Sequence, residues 1–253
     1  MSAAIEYSSF DDWDATDYLT EYYSEILEDE RHALQFLVDS LRGRPVVERA
    51  LDAGCGPCVH HCFPLVPYAR EIHCADFVAG NREAITRWID RRPGAHDWSR
   101  FTAHTLACEG ADSGPDAVAR READTNITKV LPLDVRAADP LGPAARGSYP
   151  LVTSHYCAEA ISTDKAVFRD NMKNLASLVA PGGLLITSAC GAAEFYKVGA
   201  RSFPCSGVSA QEVLSSLTAL GFRDIDLRIR STPTHAEQGY ASVVFARATK
   251  PHE

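Results

Sequence analysis

Three things are scarce in this sequence. Positive charge is the first: Lys and Arg number 25 against 34 Asp and Glu, a formal net charge of −9. Nucleic acid and anionic membrane both demand a basic footprint, so neither is an expected partner. Long apolar runs are the second. None approaches the length that spans a bilayer, and residues 1–12, acidic and polar, do not read as a signal or transit peptide. Repeats and low-complexity tracts are the third. Their absence, with 45% hydrophobic and 23% charged residues, excludes collagenous and disordered classes. Cysteine, by contrast, is plentiful. Eight cysteines without a secretory leader point to a reducing cytoplasm and free thiols, not a secreted scaffold. Four of them fall between Cys55 and Cys74 beside His60, His61 and His73, so a metal site has to be weighed. The length of 253 residues suits one α/β domain with an appendage.

Residues 1–25 set Phe10, Trp13, Tyr18, Tyr22 and Tyr23 among acidic residues. That composition reads as a helix packing its rings inward or as a lid over a ligand. Leu34, Leu37, Val38 and Leu41 recur at helical spacing. Strands are expected at 46–53, 71–75, 129–133, 149–154 and 184–188, with helices at 58–68, 81–90 and around Phe168 to Val179. Ser209 to Glu212 forms a capping box that opens a helix ending at Gly221. Two more strands, 224–230 and 241–248, follow with no helix between them. Residues 95–127 show little periodicity. Alternating strands and helices predict an α/β fold: a Rossmann-like, seven-stranded, mostly parallel sheet with helices on both faces. The last two strands should form an antiparallel C-terminal hairpin at one edge. Residues 1–45 should form an N-terminal helical lid on a single domain, 1–253.

In such a sheet the ligand lies at the carboxyl ends of the strands. The first strand ends in Asp52-Ala53-Gly54-Cys55-Gly56-Pro57. Val59 stands where a dinucleotide fingerprint needs its third glycine, which disfavours a pyrophosphate. The second strand ends at Asp76, about twenty residues on, where a carboxylate accepts from a ribose diol. The third ends at Asp134, placed to meet an adenine amino group. Acids after three consecutive strands suit an adenosyl group bearing a cationic sulfonium.

The string Leu51 to Pro57, with Asp76, Asp134 and the Pro181-Gly182-Gly183 turn, resembles the S-adenosylmethionine-dependent methyltransferases. A narrower resemblance covers almost the whole chain. Asp17-Tyr18-Leu19, Tyr22-Tyr23, Gly54 to Pro57, Asp76-Phe77 and Asn81-Arg82-Glu83 are similar to the family of nicotinamide, phenylethanolamine, indolethylamine and thioether methyltransferases. So are Ala95-His96-Asp97-Trp98-Ser99, residues 130–135 and Pro140-Leu141-Gly142. The resemblance implies methyl transfer from S-adenosyl-L-methionine, leaving S-adenosyl-L-homocysteine, to a small amine or heterocycle. It implies that Tyr18 and Tyr23 close over the methionine portion. Asp52 and the Gly54-Cys55-Gly56 loop should pass under its amino group. Asp76, Phe77 and Asn81 should hold the ribose side. Asp134 and Val135 should frame the adenine, with Ser154 and His155 beside the cofactor.

For the acceptor, Glu159 falls where amine-methylating members carry a carboxylate, and it is the expected catalytic acid–base group together with Tyr18. His155, Tyr196 and Glu237 complete the expected acceptor contacts. Ala189 and Ala193 replace polar residues of the nicotinamide and phenylethanolamine enzymes, which argues against both of those acceptors. The leaving thioether needs no acid, so such an enzyme supplies mainly proximity and alignment. Cys55 lies inside the cofactor loop and no four ligands converge in the sequence, so the thiols are expected to pack and no metal is expected. A monomer in the cytoplasm, serving small-metabolite or bacterial natural-product metabolism, completes the reading. Methylation of sulfur, selenium or oxygen, and a non-catalytic subunit of the same fold, are the alternatives.

Overall fold

A computed structural model describes residues 5–252. Its main sheet has seven strands in the order β3-β2-β1-β4-β5-β9-β8. These are β1 (Val47–Ala53), β2 (Ala69–Asp76), β3 (Ile127–Pro132), β4 (Tyr149–His155), β5 (Val179–Cys190), β8 (Arg223–Ser231) and β9 (Ser242–Thr249). The first five run parallel. β9 inserts antiparallel between β5 and β8, so the expected hairpin forms the far edge.

Period-two alternation divides the core. On β5, Leu184 and Ile186 enter one apolar cluster and Leu185 the other; on β9, Val243 and Phe245 oppose Val244 and Ala246. One cluster takes α2 (Glu28–Leu41) through Leu34, Leu37 and Leu41, α3 (Ala79–Ile89) through Ile85, and α4 (Ser99–Glu109) through Phe101. The other takes α6 (Lys165–Leu178) through Phe168, Met172 and Leu175, and α7 (Ala210–Ala219) through Val213 and Leu217. Ser209 caps α7 as its sequence signals, accepting from the Glu212 amide while Glu212 reaches back.

Three features depart from the sequence reading. The segment after the glycine loop is only a short 3-10 turn, His60–Leu65, because Pro64 removes a donor from it. Residues 95–127 hold two real helices, α4 and α5 (Pro115–Ala123), whose apolar faces are too narrow to give a clear period. A small hairpin, β6 (Phe195–Val198) and β7 (Arg201–Pro204), stands apart from the main sheet.

That hairpin holds the N-terminal segment. Phe10 packs on Phe203 with ring centroids 5.5 Å apart, and Trp13 packs on Phe203 at 5.2 Å. The Tyr22 hydroxyl, on α1 (Ala15–Tyr23), donates to the Lys197 carbonyl at 2.6 Å. The Gly199 amide donates to Glu21 at 2.6 Å, and the Ser8 amide to the Ser202 carbonyl at 2.8 Å. Trp13 Nε1 then bonds Asn81 Oδ1 at 2.8 Å, so the segment bridges the hairpin and α3.

Candidate active site

β1 delivers the chain into a turn in which Gly54 and Gly56 hold φ of 68° and 62°. Only glycine occupies that region freely. A Cβ on Gly54 would lie 2.2 Å from Cys157 Sγ, so a side chain there collides with the exit of β4. The Gly54 and Cys55 amides bond the Ala75 carbonyl, fixing the turn to β2. At the end of β2, the Asp76 carboxylate accepts from Gly56 N at 2.8 Å, Val78 N at 2.8 Å and Asn81 Nδ2 at 2.9 Å. Burial nevertheless pushes its pKa up. One carboxylate thus ties the glycine turn to the start of α3.

The turn, Asp76, Phe77, Asn81, Asp134 and Val135 line one cleft, closed by Tyr18 and Tyr23, with about 810 Å³ of atom-free space including its mouth. Phe77 is 49% exposed, and the Arg136 guanidinium sits 4.6 Å from its ring centre. Asp134 lines the cleft, but its carboxylate is engaged by Arg136 Nε at 2.8 Å, which holds its pKa down. Asp52 and Ser154 are buried outside the lining. Asp52 accepts from the Thr153 hydroxyl at 2.9 Å, so it braces β1 against β4 behind the turn.

A second cavity of about 490 Å³ shares Trp13, Tyr18, Tyr23, Tyr156, Ala160 and Tyr196 with the first. The two therefore adjoin across these side chains. Tyr22, Tyr240 and Cys190 add to its walls, and Asp29 and Glu30 are its acids. Tyr156 has φ of 52°, a conformation that costs a non-glycine residue on the order of 1–3 kcal/mol. Its hydroxyl is buried without a partner. Asp29 accepts from the Tyr240 hydroxyl at 2.9 Å and lies 2.9 Å from His235 Nε2.

The acids expected at the acceptor are placed differently. Glu237 is exposed and lines neither cavity, because its 3-10 turn (Pro233–Gln238) directs His235 inward instead. Glu159 is buried and lies outside both linings. Its Oε1 accepts from the Cys190 amide at 2.8 Å, which holds it behind the pocket wall, and its Oε2 has no partner. Burial, only partly offset by backbone donors, raises its pKa to about 7. Tyr196 lines both cavities as expected, and His155 lines the cofactor cleft. His155 Nδ1 pairs with Ser188 Oγ at 2.8 Å, and burial drives its pKa well down, so it is a neutral imidazole.

Asp29 and Glu30 were hidden in the sequence by an ordinary pattern. They open α2 beside Glu28, where acids suit a helix N-terminus and are normally solvated. Here both are buried, at 3% and 2% exposure. The histidines and thiols after the glycine turn also separate. Cys62 and Cys74 face each other, Sγ to Sγ at 3.5 Å, while His60 and His61 both turn to Glu30. Burial opposes the Glu30 carboxylate, and its imidazole neighbours outweigh that, holding it ionised. Burial takes His60 down to about 4, whereas Glu30 overcomes burial at His61 and raises its pKa.

The NNMT/PNMT/TEMT family pattern matches residues 2–250. The chain belongs to this family. The chain is 30% identical to human phenylethanolamine N-methyltransferase over 224 residues, 86% of this chain and 77% of the relative. It is 28% identical to rabbit (Oryctolagus cuniculus) indolethylamine N-methyltransferase over 227 residues, 87% of this chain and 86% of the relative. Among solved structures, N-methyltransferase NodS from Bradyrhizobium japonicum WM9, with S-adenosyl-L-homocysteine, superposes with a TM-score of 0.52 at 15% identity, covering 90% of each chain. At that identity it supports the fold. As a member of the NNMT/PNMT/TEMT family, the protein is an S-adenosylmethionine-dependent methyltransferase. The cleft fits that cofactor: a glycine turn, a buried carboxylate at the second strand end and an aromatic slot beside Val135 stand together. No helix among the described residues is long and apolar enough to cross a membrane.

Proposed function

We propose that this methyltransferase transfers the methyl group to nitrogen of a small amine or heterocycle held in the second cavity. The observation carrying this reading is that cavity's lining: tyrosines and Trp13 as walls, with Asp29 and Glu30 as buried acids. Their charged or chargeable partners among the described residues are histidines only, His235 for Asp29 and His60 and His61 for Glu30. Aromatic faces and carboxylates together attract a group that is cationic or becomes so. When bound, the cofactor supplies an electrophilic methyl on a sulfonium. Gly54 and Gly56 give its methionine portion close backbone approach, and Asp76, with Asn81, takes the ribose side. Phe77 and Val135 face the adenine, with Asp134 kept at the rim by Arg136. Asp52 and Ser154 act behind the turn, setting the positions of β1 and β4. Tyr18, common to both cavities, aligns acceptor and cofactor and excludes water.

Asp29 takes over the acceptor-facing role that the sequence assigns to Glu159 and Glu237. It would attract an ammonium and stabilise the charge that develops on nitrogen. Glu159, neutral below about pH 7, shapes the wall through Cys190. Of the expected lid 1–45, residues 1–4 lie outside the described residues, 5–27 serve as the lid of one catalytic domain and α2 packs on the sheet; one chain holds the proposed site, which suits a monomer. Eight free thiols suit a reducing cytoplasm and metabolism of small molecules, including natural products.

The test is a turnover screen of amines, pyridine-type heterocycles, thiols and phenols, with the methylated atom located by mass spectrometry. Turnover restricted to thiols or phenols would overturn the nitrogen assignment. An absence of S-adenosylhomocysteine binding would overturn the catalytic role altogether. In the nitrogen case, Asp29→Asn should raise KM for the amine about tenfold or more while KM for the cofactor stays put, consistent with loss of a charged partner.

A further inference from the structure

Methyl transfer as described draws on Glu30 but leaves His60 and His61, which converge on it, without a role. Glu30 on the first turn of α2 meets His60 and His61 at the start of the 3-10 turn. His60 Nε2 and His61 Nε2 lie 2.8 and 3.1 Å from the same oxygen, Glu30 Oε2. The ligating atoms of all three lie within 4.8 Å of one another. We propose that Glu30, His60 and His61 form a binding site for a divalent transition-metal ion of the zinc or ferrous-iron class, open toward the acceptor cavity.

The donor set is the first reason. Two imidazoles and a carboxylate are hard-to-borderline nitrogen and oxygen ligands, the set that zinc and non-haem iron take. The spacing is the second. Both imidazole nitrogens lie within 3.1 Å of one carboxylate oxygen, and all three ligating atoms within 4.8 Å of one another, close enough to share one ion. The rings are the third. Consecutive residues of a 3-10 turn diverge by about 120°, yet the His60 and His61 centroids are 3.9 Å apart. A common group that both nitrogens address explains that convergence.

Charge is the fourth and independent reason. Asp29, Glu30 and Asp52 are all buried in this region, at 3%, 2% and 0% exposure. Among the described residues none of them has a lysine or arginine within salt-bridge reach. A divalent cation makes up a deficit that histidines alone leave open. One outer contact is in place at the carboxylate: the Tyr23 hydroxyl donates to Glu30 Oε1 at 3.4 Å.

His61 lines the cofactor cleft and Glu30 the acceptor cavity. Three protein ligands with positions left open are the arrangement of a metal that binds a substrate atom. The ligand it would take is a lone-pair donor of the acceptor other than the nitrogen that receives the methyl group. That last step rests on the methyl-transfer reading; the metal site itself does not.

The experiment is a titration of the chelator-stripped full chain with Co²⁺, in the absence of cofactor and acceptor, followed by visible absorption and calorimetry. The expected result is one equivalent bound with d–d bands and no thiolate charge-transfer band. Glu30→Gln and His61→Asn should each abolish saturable binding, and Cys58→Ser should retain it. The proposal is overturned if the wild-type chain shows no saturable binding of Co²⁺ or Zn²⁺, if binding survives both ligand variants, or if it is lost in Cys58→Ser. The wild-type titration decides by itself should a variant fail to fold. S-adenosylhomocysteine binding, measured on the same stripped protein, reports separately: its failure with metal bound removes the methyl-transfer reading and leaves the metal site standing.

Discussion

Glu159→Gln offers a sharp test of how this pocket wall is built. The carboxyl is 1% exposed, its pKa is raised from an ordinary 4.5 to about 7, and burial is the main cause. In the unfolded chain the group ionises near 4.5; in the folded chain it keeps its proton until about 7. Its folded-state pKa is the higher one, so its contribution to stability is complete below about 4.5 and is lost as pH rises toward 7. At about 1.4 kcal/mol per pH unit, the full loss is roughly 3 kcal/mol. Glutamine retains an acceptor for the Cys190 amide and cannot ionise. Urea unfolding of both proteins from pH 4 to 8 should therefore give similar stabilities near pH 4 and a variant ahead by roughly 3 kcal/mol at pH 8. Taking the difference cancels the other titrating groups that the two share. A difference that stays flat across this range refutes the buried, proton-retaining carboxyl. The same variant separates two roles: turnover abolished at every pH would restore Glu159 to direct contact with the acceptor.

Other outcomes follow from single contacts. Gly54→Ala should weaken S-adenosylhomocysteine binding in calorimetry and cost on the order of 1–3 kcal/mol of stability, because it adds strain at positive φ and a clash with Cys157. Unchanged affinity would mean that the turn does not cradle the ligand. Trp13→Phe removes the bond to Asn81 and keeps the ring; cofactor affinity should fall about three- to tenfold, as for one net hydrogen bond. Leu37→Ala, at a fully buried position, should cost about 2–5 kcal/mol in denaturant unfolding and leave both KM values unchanged.

The sheet was legible because its strands alternate and its glycine turn is punctuated. Asp76, Gly54 and Gly56 could be placed from that pattern, and the structure brings them to one cleft. The acceptor side was not legible in the same way. Glu159 matched a family position, but register along a chain does not say which way a side chain turns once β5 supplies an amide to hold it. Glu237 lies outside both linings for a similar reason, since its 3-10 turn brings His235 inward instead. Asp29 and Glu30 wore the pattern of a solvated helix start. The β6–β7 hairpin gave no period because its strands have four residues each and a Gly199 turn.

The clasp between that hairpin and the N-terminal segment bears on the order of events in turnover. Trp13, Tyr18 and Tyr23 line both cavities, so displacement of the N-terminal segment would alter both at once. Under the proposed lid, departure of methylated product and of S-adenosylhomocysteine would be coupled, and the packing of Phe10 and Trp13 on Phe203 would bear on the pace of turnover.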